Sequence, residues 1–66
     1  MTTNSGWSIE DGRKLRDLRR ARNLSQNALA KKLGCDQGTV SRIENGFPPS
    51  KPVRIILDIL KGSEHG

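Results

Sequence analysis

Apolar residues along the chain recur at the three- and four-residue spacing of an α-helix, and nowhere do they alternate with polar residues as in a strand. Trp7 and Phe47 are the only aromatic residues, so the aromatic enrichment typical of strands is also missing. Turn-forming residues separate the helical stretches. We therefore predict a compact all-α domain of four short helices.

Polar caps and helix breakers indicate where the first two helices begin and end. Ser8 and Asp11 have the spacing of a capping box, with Asp in place of the usual Glu, and this predicts a first helix from about Ile9 to Arg22. Ser25 is placed to cap a second helix. Gly34 is placed to end it in the left-handed conformation.

The same reasoning gives two further helices and the limits of the domain. Asp36 can cap a third helix that ends at Asn45 and Gly46. Ser50 can cap a fourth, with Pro52 in its permissive first turn and a stop near residue 62. We expect residues 8–62 to form the domain, residues 1–7 to be a flexible N-terminal tail and residues 63–66 to be a C-terminal tail.

The segment from residue 26 to residue 45 meets the steric requirements of a helix-turn-helix motif formed by the second and third helices. Counting Gln26 as the first position, Ala30 is fifth, where two crossing helices leave no room for a larger side chain. Gly34 is ninth, where the chain must turn sharply with a positive φ. Val40 and Ile43 then fall where the second helix of the motif needs apolar residues.

These residues resemble the Cro/CI (lambda-repressor-like) family of bacterial and phage transcriptional regulators. The matching stretches are LRRARNLSQ at 18–26, LAKKLG at 29–34 and TVSRIENG at 39–46, and the similarity covers about residues 15–60. The resemblance implies a four-helix domain that binds a two-fold DNA operator as a dimer, with the third helix in the major groove. Many members have a fifth helix, which we expect this chain to lack.

The third helix is predicted to read the bases. In helical projection Val40, Ile43 and Glu44 lie on its inner side and polar residues on its outer side. Gln37 can bind adenine with two hydrogen bonds and Arg42 can bind guanine, whereas hydroxyl groups can contact bases or phosphates. An ordinary solvated helix face is the alternative for all the predicted base contacts, which are Gln37, Thr39, Ser41 and Arg42.

A second set of residues is predicted to contact the DNA backbone. The family resemblance implies that Gln26 bonds a phosphate and braces Gln37. Helix N-termini also favour phosphate, through their free N–H groups and the positive end of the helix dipole. The other candidates are Asn27, Gly38, Asn45, Lys51 and Arg54.

Arg19 and Glu44 both fall on the core-facing sides of their helices. Because either charge alone would be costly there, we predict a partly buried ion pair with a structural role. The family resemblance implies the same pair.

The charge of the chain agrees with a polyanionic partner. Its 66 residues carry 12 Lys and Arg against 7 Asp and Glu, a net charge of +5. The segment from Glu10 to Leu33 carries this whole excess, which favours double-stranded DNA as the partner. From charge alone, an ordinary solvated helix face explains this clustering of basic residues equally well.

Composition also excludes several classes of protein. The length allows one small domain, and the single cysteine, Cys35, excludes an intrachain disulfide. One cysteine and one histidine are too few for a structural zinc site, and we expect Cys35 to be a packing residue rather than a redox switch. No nucleophile–base pair or metal-ligand cluster indicates an enzyme or a cofactor. Without a membrane-length apolar run or a signal peptide, we expect a cytoplasmic, nucleoid-associated protein and no membrane partner.

The fourth helix suggests how two copies associate. Ile55 and Ile59 lie on a side that the core does not cover, so we predict a homodimer through them. Alternatively, the segment around Trp7 or a further helix covers these two isoleucines.

The predicted function is that of a repressor, activator or autoregulator, with contact to RNA polymerase as one route of regulation. The alternative is a helix-turn-helix-fold protein-interaction module, antitoxin-like or antiactivator. The polar outer face of the third helix argues against it, because a protein interface favours aromatic or aliphatic anchors.

Overall fold

A computed structural model of the chain describes residues 6–62, and the described residues form four helices and no strand. The helices are α1 (Ile9–Ala21), α2 (Gln26–Leu33), α3 (Gln37–Glu44) and α4 (Lys51–Gly62). The predicted all-α fold with a helix-turn-helix at α2 and α3 is confirmed. Residues 1–5 and 63–66, which belong to the predicted tails, lie outside the described residues.

Local hydrogen bonds set the helix ends. The Ser8 N–H donates to Asp11 Oδ2 over 2.9 Å and the Asp11 N–H donates to Ser8 Oγ over 3.4 Å, which completes the capping box of α1. Ser25 Oγ accepts the Ala28 N–H over 3.0 Å and caps α2. Gly34 ends α2 with a φ of 74°, which costs little for a residue without a Cβ.

The turn between α1 and α2 is formed by Asn23, which has a φ of 58°. Asparagine tolerates this left-handed conformation better than most residues. Its backbone N–H donates to the Arg20 carbonyl over 2.9 Å. As a result α1 ends at Ala21, one residue before the predicted end.

One hydrophobic core joins all four helices. α3 packs chiefly on α1 and α2, whereas α4 packs on α2.

Cys35 lies half-buried against this core. Its burial raises the pKa of the thiol, and the nearby Asp36 raises that pKa further. None of the helices within residues 6–62 is long and apolar enough to cross a membrane. The buried apolar residues are Leu15, Leu29, Ala30, Leu33, Val40, Ile43, Val53 and Leu57.

Gly12 lies where α1 crosses the end of α3. It is buried, and a Cβ at this position would lie 2.7 Å from the Ile43 carbonyl oxygen and closer still to that of Glu44. Only a residue without a side chain lets the two backbones approach so closely. The sequence prediction missed this contact, although a glycine inside a helix costs about 1 kcal/mol relative to alanine and therefore indicates a packing requirement.

Trp7 also differs from its predicted place. The prediction assigned it to a flexible N-terminal tail, but its half-buried indole packs against the hydrophobic core. The indole Nε1–H donates to the Ile43 carbonyl oxygen over 3.1 Å. A large ring with one polar atom gains from such a site, where the ring is covered and the N–H has a partner. The packed domain therefore includes Trp7, one residue before the predicted boundary.

Candidate nucleic-acid interface

α3 has a buried face and a polar solvent-facing side. Val40, Ile43 and Glu44 are buried, as the helical projection predicted. The residues on the other side carry hydrogen-bonding groups or no side chain at all, and none is aliphatic or aromatic. Gln37, Gly38, Arg42 and Asn45 are exposed, and Ser41 and Thr39 are half-buried. The helix therefore presents donors and acceptors to whatever approaches it.

Asp36 and Thr39 form the N-terminal cap of α3. Asp36 Oδ1 accepts the Thr39 backbone N–H over 2.9 Å and the Thr39 hydroxyl over 2.6 Å. Both bonds hold the pKa of Asp36 below its ordinary value, and the bond from the hydroxyl contributes more than the bond from the backbone. Because the Thr39 hydroxyl proton is used in this cap, Thr39 can contact a base only through the lone pairs of its hydroxyl oxygen and through its methyl group.

Behind α3, Arg19 of α1 and Glu44 form a buried ion pair. The Arg19 Nε lies 2.6 Å from Glu44 Oε2, and the Arg19 Nη2 donates to Glu44 Oε1 over 3.3 Å. The two side chains are 11% and 3% exposed, so the charges meet away from solvent. Arg19 Nη1 also donates to the Leu24 carbonyl over 2.8 Å, which ties the α1–α2 turn to the same site. A bidentate pair of this kind has a defined geometry as well as strength.

Gln26 connects the buried pair to the exposed start of α3. Its Nε2 donates to Glu44 Oε1 over 3.0 Å, and its Oε1 accepts the Gln37 Nε2 over 2.6 Å. Both ends of the Gln26 amide are thus engaged, which fixes its orientation. Gln37, the first residue of α3, is held in place from α1 through a continuous line of side-chain hydrogen bonds.

Asn45 closes the other end of α3. Its Nδ2 donates to the Ser41 carbonyl over 2.8 Å, and the Phe47 N–H donates to the Arg42 carbonyl over 3.0 Å. The Asn45 side chain therefore bonds its own helix, whereas the prediction considered it only as a phosphate contact.

The remaining predicted backbone contacts lie on three helices. Asn27 and Lys51 are exposed near the starts of α2 and α4. Gly38 faces open space, since a Cβ there would have Asp36 Oδ1 as its nearest neighbour at 4.0 Å. Arg54 has its guanidinium carbon 5.4 Å from the centre of the Trp7 ring and its Nε 3.8 Å from Asp58 Oδ1. Arg54 is thus already engaged within the domain.

Ile55 and Ile59 lie on the outer side of α4. They are 58% and 64% exposed, whereas Val53 and Leu57 on the same helix are buried. Because i and i+4 side chains are neighbours on a helix, the two isoleucines form one small apolar surface.

Comparison with known proteins agrees with this geometry. Residues 12–63 match the family described as "Helix-turn-helix domain". The chain is also 54% identical over 53 residues to the "Uncharacterized HTH-type transcriptional regulator RghRB" of Bacillus subtilis (strain 168). That match covers 76% of this chain and 38% of the relative, so the chain spans well under half of the relative's length. No solved structure is significantly similar to the chain.

The family match extends from α1 to the end of α4 and includes α2, α3 and the turn between them. The broader part of the predicted resemblance, a helix-turn-helix domain, is confirmed, and the narrower assignment to the Cro/CI family stays a prediction. This chain belongs to the family of helix-turn-helix domains.

Proposed function

We propose that the chain is the DNA-binding part of a transcriptional regulator and that α3 enters the major groove of its operator. The observation that carries this proposal is the polar outer side of α3, held from behind by the Arg19–Glu44 pair and Gln26. The major groove admits an α-helix and presents a distinct pattern of donors and acceptors for each base pair. A helix that offers hydrogen bonds and is held rigidly suits that pattern. The printed name of the relative, a transcriptional regulator, supports the same function.

Gln37 and Arg42 are the proposed main base contacts. Both are exposed, and they lie five residues apart, at the start and in the last turn of α3. Gln37 presents its amide to adenine and Arg42 its guanidinium to guanine. The bond from Gln37 to Gln26 reduces the conformational freedom that Gln37 would lose on binding. Ser41 and Thr39 add contacts from the same helix.

The backbone contacts are proposed around the groove edges. Gln26 and Asn27 lie in the first turn of α2, whose N-terminal N–H groups favour a phosphate. Gly38 allows the start of α3 to approach closely, because nothing projects from it. Asn45, Lys51 and Arg54 complete the set, with Arg54 reaching a phosphate from its place beside Trp7.

We also propose that two copies associate through Ile55 and Ile59. Burying one such side chain fully is worth about 1.5–3 kcal/mol, so four of them across a two-fold axis supply useful association energy. A two-fold dimer would place its two α3 helices about one DNA turn apart, on a palindromic site. The substitution Ile55→Glu should keep the fold and give a monomer in sedimentation. An unchanged sedimenting mass would exclude this surface.

Control of transcription would then follow from the position of the operator. A domain bound over a promoter blocks RNA polymerase, and one bound beside it can touch the enzyme, so repression, activation and autoregulation are all compatible with the site. Such a protein would work on the nucleoid in the cytoplasm.

Selection from a random duplex library tests the DNA-binding proposal. The chain should enrich one partly symmetric sequence, and a mobility shift should show much tighter binding to it than to a scrambled duplex of equal length. The affinity should fall linearly on a logarithmic scale as salt rises, because counterions are released from the phosphates. Absence of any enriched sequence would contradict the proposal and favour a protein-interaction module.

A further inference from the structure

Trp7 makes contacts that connect two parts of the domain. Its Nε1–H donates to the carbonyl oxygen of Ile43, in the last turn of α3, over 3.1 Å. The same carbonyl oxygen accepts the Gly46 backbone N–H over 3.1 Å, so the indole N–H is a second donor to an oxygen that has two lone pairs. Trp7 therefore holds the C-terminal end of α3, whereas Gln26 holds its N-terminal end.

The same indole ring contacts α4. The Arg54 guanidinium carbon lies 5.4 Å from the ring centre and the Lys61 Nζ lies 5.5 Å from it. Both distances are within the range in which a cation is attracted by the ring quadrupole. Arg54 and Lys61 are seven residues apart, two turns on one side of α4, so the ring is attached along much of that helix.

This double contact matters because the backbones of α3 and α4 do not pack closely on each other, although side chains of both helices belong to the core. α3 packs chiefly on α1 and α2, and α4 packs on α2. The orientation of α4 relative to α3 therefore depends on the shared hydrophobic core, on the 3.4 Å bond from Arg22 Nη2 to the Leu60 carbonyl oxygen, and on Trp7. Buried Val53 and Leu57 hold α4 on the core, but the hydrophobic effect that buries them is non-directional. A hydrogen bond and two cation contacts add direction.

We propose that Trp7 is a positioning residue that fixes α4 relative to the end of α3. The second part of this proposal rests on the proposed function, in which α3 reads the bases and α4 carries Ile55 and Ile59. Because Trp7 contacts both helices, it also sets the spacing between half-sites that a dimer accepts. Trp7 thereby contributes to operator choice without touching a base.

Tryptophan fluorescence tests the positioning directly, because Trp7 is the only tryptophan and the chain has no tyrosine. Replacing both cations (Arg54→Gln with Lys61→Gln) should make the indole about twofold more accessible to quenching by acrylamide, a neutral probe, because its cover from α4 is loosened. Lys51→Gln is the control: it removes an exposed cation at the first residue of α4, outside the two cation contacts with the ring, and should leave quenching unchanged. Equal quenching in all three proteins would overturn the proposal.

The effect on spacing is measured with duplexes built from the selected site, with the half-sites moved apart or together by one base pair. Trp7→Phe keeps an aromatic ring beside the cations but loses the N–H donor. In this variant the ratio of affinities between the best spacing and the altered spacings should fall by about five- to tenfold, which is the effect expected for the loss of one hydrogen bond. Its affinity for a single half-site should stay close to that of the wild type.

An equal loss on every duplex would show that Trp7 only stabilises the fold, and an unchanged spacing preference would show that it positions nothing; either result overturns the proposal. If the wild-type chain selects no DNA sequence, the proposed function fails, and the quenching result decides the Trp7 proposal by itself.

Discussion

The Gln37 Nε2 donates to Gln26 Oε1 over 2.6 Å, and this bond joins the first residues of the two helices of the motif. Through the second bond of Gln26, to Glu44, the exposed Gln37 is tied to a buried ion pair. The exposed end of α3 is therefore oriented before any partner arrives. Preorganisation of this kind strengthens binding because less side-chain freedom remains to be lost.

A double-mutant cycle measures the value of this bond for DNA binding. Gln37→Ala should weaken binding to the selected duplex because a base contact is removed. Gln26→Ala should weaken it less, since Gln37 remains but is no longer held. If the two residues act as a unit, the double variant should lose less than the sum of the single losses, with a coupling of about 0.5–3 kcal/mol from measured dissociation constants. Strictly additive losses would show that Gln26 acts alone, on a phosphate.

Removing one partner of the buried ion pair should destabilise the domain strongly. Arg19→Met leaves the carboxylate of Glu44, which is 3% exposed, without its main partner, and should lower the free energy of unfolding by about 3–5 kcal/mol. The double variant Arg19→Met with Glu44→Leu should recover most of that loss, because no unpaired charge remains.

Arg20→Met is the control for this experiment, since Arg20 is the exposed neighbour on α1 and should change the stability by less than about 0.5 kcal/mol. Denaturant unfolding followed by circular dichroism gives all the values. A loss for Arg19→Met no larger than that for Arg20→Met would mean that the pair does not hold the fold together.

Two glycines on α1 and α3 should respond in opposite ways to the same substitution. Gly12→Ala should destabilise the domain by roughly 1–3 kcal/mol, because the new Cβ would collide with the backbone carbonyls of Ile43 and Glu44. Gly38→Ala has open space and should instead keep or raise the stability, by up to about 1 kcal/mol from helix propensity. The same Gly38→Ala substitution should weaken DNA binding, since it adds a methyl group to the proposed contact surface. Thermal unfolding and mobility shift distinguish these effects, and a destabilising Gly38→Ala would contradict the open geometry.

Stability should fall in acid partly through Asp36. Its bonds to Thr39 hold the pKa of Asp36 in the folded state below the ordinary value of 3.8. The unfolded chain therefore binds a proton more readily, so this contribution is fully present above the ordinary pKa and is lost as pH falls through the folded-state pKa.

Asp36→Asn tests this assignment, because asparagine caps a helix about as well as aspartate but does not titrate. Thermal unfolding between about pH 5 and about pH 2 should depend less on pH in this variant than in the wild type. Identical pH dependence in the two proteins would mean that the cap carboxylate does not contribute.

The helices, their caps and the inner side of α3 could be predicted because each depends on residues a few positions apart. Ser8, Ser25 and Asp36 all cap the helices that their spacing indicated. Trp7 and Gly12 were missed because their contacts depend on where distant segments meet. The Trp7 indole bonds a carbonyl 36 residues away, and no local pattern around it indicates that partner.

The predicted contact residues on α3 illustrate a different limit. The outer-side place of Ser41 and Arg42 could be read from the 100° rotation per residue, but the bonds that Thr39 and Asn45 make at the ends of the helix could not. Thr39 uses its hydroxyl in the cap and Asn45 uses its amide at the end of the helix. Both groups satisfy their own helix first, which is typical of short polar side chains near helix ends.

The most direct test of base reading by α3 compares the sequences selected by the wild type, by Arg42→Ala and by Arg13→Ala. Arg42 and Arg13 are both exposed, the first on α3 and the second on α1, so the two substitutions remove equal charge from different places. Arg42→Ala should weaken binding to the wild-type site by about 1–3 kcal/mol and remove the preference at one base position in each half-site, whereas Arg13→Ala should leave every preference intact. A uniform loss of affinity in Arg42→Ala, with all base preferences retained, would contradict the proposal that Arg42 reads a base.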